Sequence, residues 1–351
     1  MATSSRWKHR PEGSTWGDYG PDDELGRLNL LTPEKVRQGL AEAREGLAFC
    51  LSLPLDYPGG NVLNPRRFPP IVRPTVRNGK PGFLYRVDQE VPGAIDVGND
   101  DLVVMHLQYS TQWDGLSHFG AMFDADGDGK PEPVFYNGFR AGVDIVGPSD
   151  VKDAGPIGTV DARSTSSARR LGVDKMAEKC MQGRGVMIDF EAHFGRDRKL
   201  IGYDELMRVM DKDKVEVTAG DMVCFHTGFA QAILEMGRNP DKQKLDNSCA
   251  GLDGRDDRLL KWITDSGVVA LIADNYAVEA FPARPGSGAH AFLPLHVHCL
   301  VKLGVNLGEI WQLSPLAQWL RRHGRNRFLL TAPPLRLPGA VGSPATPIAT
   351  V

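Results

Sequence analysis

Within seven positions of the segment QYSTQWDGLSHFG (Gln108–Gly120) stand Gln112, Asp114 and His118. Residues two apart on an extended chain point the same way, so Gln112 and Asp114 can converge on one point, with His118 reaching back after a turn at Gly115. A carboxylate beside an imidazole is part of a site for Zn²⁺ or Mn²⁺. A second segment, LHVHCLVKLGVNLGE (Leu295–Glu309), adds His296, His298 and Glu309, which are ligand types for the same kind of ion. A single Asp or His is as readily part of a structural hydrogen-bond network, so neither segment decides the matter alone. A third segment, DADGDG (Asp124–Gly129), puts Asp124, Asp126 and Asp128 at the first, third and fifth places of an EF-hand-like loop, a candidate Ca²⁺ site. Phe135 stands where that loop needs its closing glutamate, and Pro131 and Pro133 disfavour an exit helix.

Short apolar runs predict the strands that would carry these residues: Leu102–Leu107, Gly142–Val146, Gly185–Phe190, Asp221–Phe225, Val268–Ala273 and Val305–Ile310. Several are apolar throughout, as strands buried on both faces are. Helical spacing predicts helices at Pro33–Arg44, with Thr32 as N-cap, and at Ser167–Gln182, Tyr203–Met210 and Asp256–Ser266. Strands interleaved with helices predict an α/β fold whose strand ends present polar residues to a site. Three such ends carry chemistry: Ile188–Phe190 (IDF), Cys224–Gly228 (CFHTG) and Ala273–Glu279 (ADNYAVE). The turn-rich stretch Asp56–Gly82 reads as a lid or subunit arm.

The chain has 351 residues and a formal net charge of −3, which argues against a nucleic-acid-binding protein. No run of about 18 apolar residues is present, so no transmembrane helix is expected. The polar stretch Met1–Arg10 has no apolar signal region, and the five scattered cysteines (Cys50, Cys180, Cys224, Cys249 and Cys299) show no metal or disulfide spacing. Both observations lead to the expectation of a reducing, cytoplasmic compartment. Residues 1–13 read as an N-terminal arm, 14–336 as one catalytic domain and 337–351 as an extended C-terminal tail.

Taken in order, these segments resemble the cyclase family of metal-dependent hydrolases, which includes bacterial kynurenine formamidase and isatin hydrolase. The likeness rests on Gln108–His118 against a His-x-Gly-Thr-His-x-Asp-x-Pro-x-His motif, and on Ser14–Val36, Arg184–Gly195, Gly220–Phe229, Ala273–Glu279 and the final LGVNLGEIWQLSPLA. It implies a single kynurenine formamidase-like (swivelling β/β/α) domain with a mixed, largely buried sheet. Two motif histidines are replaced by Gln108 and Gln112, while Asp114 and His118 remain. The resemblance implies a divalent metal, Mn²⁺ or Zn²⁺, held by Gln112, Asp114, His118 and His296, with His296 preferred over His298. Glutamine's neutral carbonyl is a weaker zinc ligand that suits Mn²⁺ better. The implied reaction is hydrolysis of an amide, cyclic amide or lactone of a small, aromatic or cyclic substrate, with His118 or Glu309 as general base and Trp113 and Tyr276 walling the substrate. A metal-dependent cyclase or lyase, or a metal-free binding protein of the same fold, are the alternatives. The expected partners are the small substrate and further copies of the chain, as a homodimer or homotetramer, with no nucleic acid and no membrane.

Overall fold

Nine strands make the central sheet of the computed structural model, which describes residues 6–148 and 165–351. They are β1 (Ala48–Cys50), β2 (Gln112–Asp114), β3 (Gln182–Asp189), β4 (Met222–His226), β5 (Ala270–Ala273), β6 (Asn306–Glu309), β7 (Arg327–Thr331), β8 (Gly342–Pro344) and β9 (Ile348–Thr350). The spatial order is β1-β9-β7-β3-β4-β5-β6-β2-β8. The four in the middle, β3 to β6, run parallel, and every other pair is antiparallel.

The parallel strands are buried on both faces, and alternation sorts their side chains into two cores. Val186, Ile188, Val223, Phe225 and Leu271 pack with Leu206 and Val209 of helix Tyr203–Asp213 and with Leu259 and Ile263 of helix Asp257–Ser266. Met187, Met222, Cys224 and Ile272 face the other way, onto Leu316, Ala317 and Leu320 of helix Ser314–Arg322. Helix Pro33–Leu40 is started by the Thr32 hydroxyl, which accepts from Lys35 N at 3.4 Å, and lies so close to β3 that a Cβ on Gly39 would meet Gly183 C at 2.6 Å. The mixed α/β sheet matches the expected fold class.

The structure corrects some elements. Ser167–Gln182 is not one helix: a short strand at Ser167–Ala168 and a turn through Leu171 (φ +60°) leave only Val173–Glu178 helical. Leu102–Leu107 is not a buried central strand. Only Asp101–Val104 is extended, paired with Ile71–Pro74 in a separate ribbon on the surface. The tail beyond Arg336 is no loose extension. It supplies β8 and β9, and Ala349 and Val351 are buried. The apolar alternation in these strands is too short to stand out, and β8 pairs with β2 and β9 with β1 across more than 200 residues, while β9 also pairs with the nearby β7. The N-terminal arm packs on the body from Arg6 onward, through Trp7 against Trp16 (centroids 6.1 Å apart) and Lys8 N donating to Ala125 O at 2.7 Å. Among the described residues no helix is long and apolar enough to cross a membrane. All five cysteines are free thiols.

Candidate active site

The site lies at the C-terminal ends of β5 and β6, where the antiparallel strand β2 joins the parallel strands. Register builds half of it. β2 runs antiparallel to β6 with Gln112 opposite Glu309 and Asp114 opposite Leu307, so Gln112, Asp114 and Glu309 share one face. Thr111 locks that register: its hydroxyl donates to Ile310 O at 2.6 Å and accepts from Leu53 N at 2.9 Å. The other half comes from helix Pro294–His296, which continues as a π-helical turn over Val297–Leu303, a form that often marks functional sites.

Donor atoms of Asp114, His296 and Glu309 lie within 4.8 Å of one another, and all three residues are buried. His296 Nε2 stands 3.3 Å from Glu309 Oε1 and 3.7 Å from Asp114 Oδ2. Its Nδ1 is 2.9 Å from Oε1 of the buried Glu279, which also accepts from the backbone N–H of Leu295 (3.2 Å) and His296 (3.0 Å). A carboxylate behind a histidine in this way fixes the ring and its tautomer, leaving Nε2 for the cluster. Gln112 Nε2 donates to Asp114 Oδ1 at 3.1 Å and to Glu309 Oε2 at 3.2 Å. Two buried acceptors, Asp114 Oδ2 and Gln112 Oε1, have no hydrogen-bond partner. Two carboxylates and one imidazole, with two orphaned acceptors among these side chains, fit a divalent cation.

Charge and burial tune the titratable groups. Burial pushes the His118 imidazole below the ordinary histidine range, opposed in part by Asp114, whose Oδ1 is 3.7 Å from His118 Nε2. Burial also works against the His296 cation, but the carboxylates of Asp114, Glu279 and Glu309 around it outweigh burial and raise its pKa. Burial opposes ionisation of Asp114 as well, yet the neighbouring His118 and His296 leave its pKa lowered.

These side chains open into a cavity of about 430 Å³. Arg67 forms part of one wall, and Phe119, Tyr276, Phe281 and Phe292 give it an aromatic character. Tyr276 and Phe281 meet edge to face at 5.4 Å. Segment 275–279 is bent to deliver Tyr276 and Glu279: Ala277 (φ +79°) and Val278 (φ +58°) are left-handed, a strained state for a β-branched residue. Asn275 Nδ2 holds the bend by donating to Ala250 O and Val278 O.

The expected residues fall in different places. Gln112, Asp114 and His296 come together, with Gln112 turning its Nε2 and not its carbonyl to the carboxylates. Glu309, expected as a base, stands inside the donor cluster, and His118, expected as both ligand and base, stands beside it. His298 points elsewhere, with Nε2 3.0 Å from Thr264 Oγ1, because two residues apart on a helix is more than half a turn. Trp113 is corrected from substrate wall to core. It faces the opposite side of β2 from Gln112 and Asp114, packs edge to face on Trp311 at 4.9 Å and donates from Nε1 to Ala332 O at 2.7 Å. Tyr276 does line the cavity.

The Asp124–Asp128 oxygens also lie within 4.8 Å of one another, but the turn is closed by its own backbone. Asp124 accepts from the N–H groups of Gly127, Asp128 and Gly129, and the flanks are paired strands, Ala121–Phe123 and Glu132–Val134, instead of helices. The other strand ends meet each other. Asp189 Oδ1 is 2.8 Å from His226 Nδ1, and His226 Nε2 is 2.9 Å from Ser314 Oγ. The distances resemble those of a catalytic triad, but Ser314 and His226 are buried away from the cavity, and the trio ties helix Ser314–Arg322 to the sheet. Sequence reasoning missed Glu279 and Arg67. ADNYAVE marked Glu279's segment, whereas nothing marks Arg67 within its turn-rich stretch.

Comparison with known proteins agrees with this architecture. A crystal structure described as a novel cyclase is 29% identical, covering 96% of this chain and 97% of its own, with a TM-score of 0.71. Isatin hydrolase A from Labrenzia aggregata, solved with benzyl benzoate, is 16% identical over 91% of this chain and 98% of its own, with a TM-score of 0.53. Isatin hydrolase A from Ralstonia solanacearum is also 16% identical, over 91% and 97%, with a TM-score of 0.53. Both hydrolases share the fold. No curated protein matches the chain. The Cyclase family model, described as "Putative cyclase", matches residues 50–280, well over half the chain, and the protein therefore belongs to the Cyclase family.

Proposed function

We propose that this chain is a metal-dependent hydrolase that opens an amide, cyclic amide or lactone bond of a small substrate. The observation that carries the reading is the buried cluster of Asp114, His296 and Glu309, with two unpartnered acceptors on Asp114 and Gln112. These residues would hold Mn²⁺ or Zn²⁺. Such an ion supplies Lewis acidity, which acidifies a water and polarises a carbonyl. Glu279 holds His296 with Nε2 toward the cluster. His118, kept neutral by burial at neutral pH, takes the proton from the attacking water and returns it to the leaving group. Phe119, Tyr276 and Phe281 exclude bulk water and seat a flat substrate.

The test is metal analysis and turnover on wild type and Asp114→Asn. Wild type is expected to carry one Mn²⁺ or Zn²⁺ per chain and to add the mass of one water to its substrate, and the variant to lose both metal and turnover. Activity retained without metal overturns the reading, and a product of unchanged mass favours a cyclase or lyase. One observation favours a second reading, a metal-free binding protein: the Gln112 amide already bridges both carboxylates. Absence of metal after reconstitution decides for it.

The working form is proposed to be a homodimer or homotetramer. The surface segment 68–104 exposes Ile71, Val72, Val76, Leu84, Ile95 and Val97, apolar side chains that a second copy of the chain would cover.

A further inference from the structure

Arg67 differs from the other cations of the cavity wall, Arg66 and Lys242: Arg66 is exposed and turns its Nε back to Asn64 Oδ1 at 3.3 Å. Lys242 is paired with Asp246, whose Oδ2 lies at 2.8 Å. Arg67 uses Nη1 to donate to Gln108 O at 2.7 Å and, among the described residues, forms no ion pair. The carboxylates nearest in function are committed: Glu309 accepts from Gln112 and contacts His296, and Asp114 accepts from Gln112. The arginine is held in place. Its loop is anchored where Asn64 Oδ1 accepts from Arg66 N at 3.1 Å and Asn64 Nδ2 donates to Tyr276 OH at 3.4 Å. Guanidinium is a rigid fork of five donors that matches a carboxylate in two-pronged fashion. A half-buried fork with one bond made is a ready receptor for an anion.

We propose that Arg67 is a specificity-determining residue that binds a carboxylate of the substrate, so that the cavity selects a flat aromatic acid over its neutral counterpart. This deepens the hydrolase reading and rests on it for the identity of the ligand as substrate. The aromatic side chains Phe119, Tyr276, Phe281 and Phe292 take the ring, and the carboxylate faces the guanidinium on the loop side of the cavity, with His118, His296 and Glu309 lining the same cavity.

The experiment is calorimetric titration of the full chain with benzoate and with benzamide, using metal-loaded and metal-stripped protein. Wild type is expected to prefer benzoate by about tenfold or more, the effect of a charge-assisted hydrogen-bonded pair. Salt should weaken that preference. Arg67→Ala should abolish the preference, and Arg67→Lys should retain part of it. An equal preference in wild type and Arg67→Ala overturns the proposal, as does a wild type that binds no benzoate at millimolar concentration. Should Arg67→Ala fail to fold, Arg67→Gln, which keeps the side chain's bulk and a donor, replaces it under the same criteria. The stripped protein separates the two readings: anion preference there stands or falls on Arg67 alone, whatever the metal analysis shows.

Discussion

Glu279 does for His296 what no residue of the donor cluster can do for itself. With Nδ1 held at 2.9 Å and two backbone N–H groups gathered on the same carboxylate, the imidazole has one orientation. Glu279→Gln keeps the shape but loses the charge that favours the Nδ1–H tautomer. It is expected to cut metal affinity about 10–100-fold with the fold intact, as losing such a supporting partner does. Metal titration alongside circular dichroism checks this, and unchanged affinity would show that the helix alone positions the ring. At this scale the convergence of Gln112 and Asp114 on one face was legible, because close spacing on an extended strand is a local property. Trp113, the residue between them, was expected at the substrate wall, although strand alternation sends it to the opposite face.

Among the elements, the π-helical turn Val297–Leu303 separates His296 from His298. His298 is mostly buried and its pKa is depressed to about 4 by that burial, with Lys302 adding to the effect. The unfolded chain therefore binds a proton that the folded chain refuses between pH about 6.5 and 4, so stability falls as pH drops through that window. Full expression of the shift is about 3 kcal/mol. His298→Gln is expected to flatten the fall, measured as the urea midpoint at pH 7 and pH 5, and an unchanged slope would assign the acid sensitivity to other groups. The C-terminal strands are a second case. β8 pairs with β2 through Gly342↔Asp114 and Pro344↔Gln112, so the tail braces the strand that carries the site. Ending the chain at Val341 exposes that ladder and removes Ala349 and Val351 from the core, and an insoluble or non-cooperatively unfolding product is expected. A truncated chain with a wild-type melting curve would disprove the bracing role.

For the molecule as a whole, the ribbon within residues 68–104 is the feature that a lone chain does not explain. Val76 is 79% exposed and Ile95 95% exposed. Val76→Asp with Ile95→Asp is expected to shift the protein from oligomer to monomer in light scattering, with unchanged secondary structure. A wild type that is monomeric at micromolar concentration would remove the assembly proposal and leave the site untouched. The family model ends at residue 280, before His296 and Glu309, and the site is completed only when the later strand β6 seats beside β2.

Local pattern in the sequence determined the α/β class, the four buried strands at the centre of the sheet and the convergence of Gln112 and Asp114 on one face. Each rests on periodicity or spacing over a few residues, which backbone geometry enforces wherever the chain goes. Tertiary structure decided the rest: which of His296 and His298 enters the site, that Glu309 sits among the donors while His118 sits beside them, and that Glu279 and Arg67 belong to the cavity. Register between β2 and β6, the bend at Ala277–Val278 and the docking of the Asn64–Arg67 loop on Tyr276 and Gln108 make those choices. All three depend on contacts between residues far apart in the chain, which local pattern does not encode.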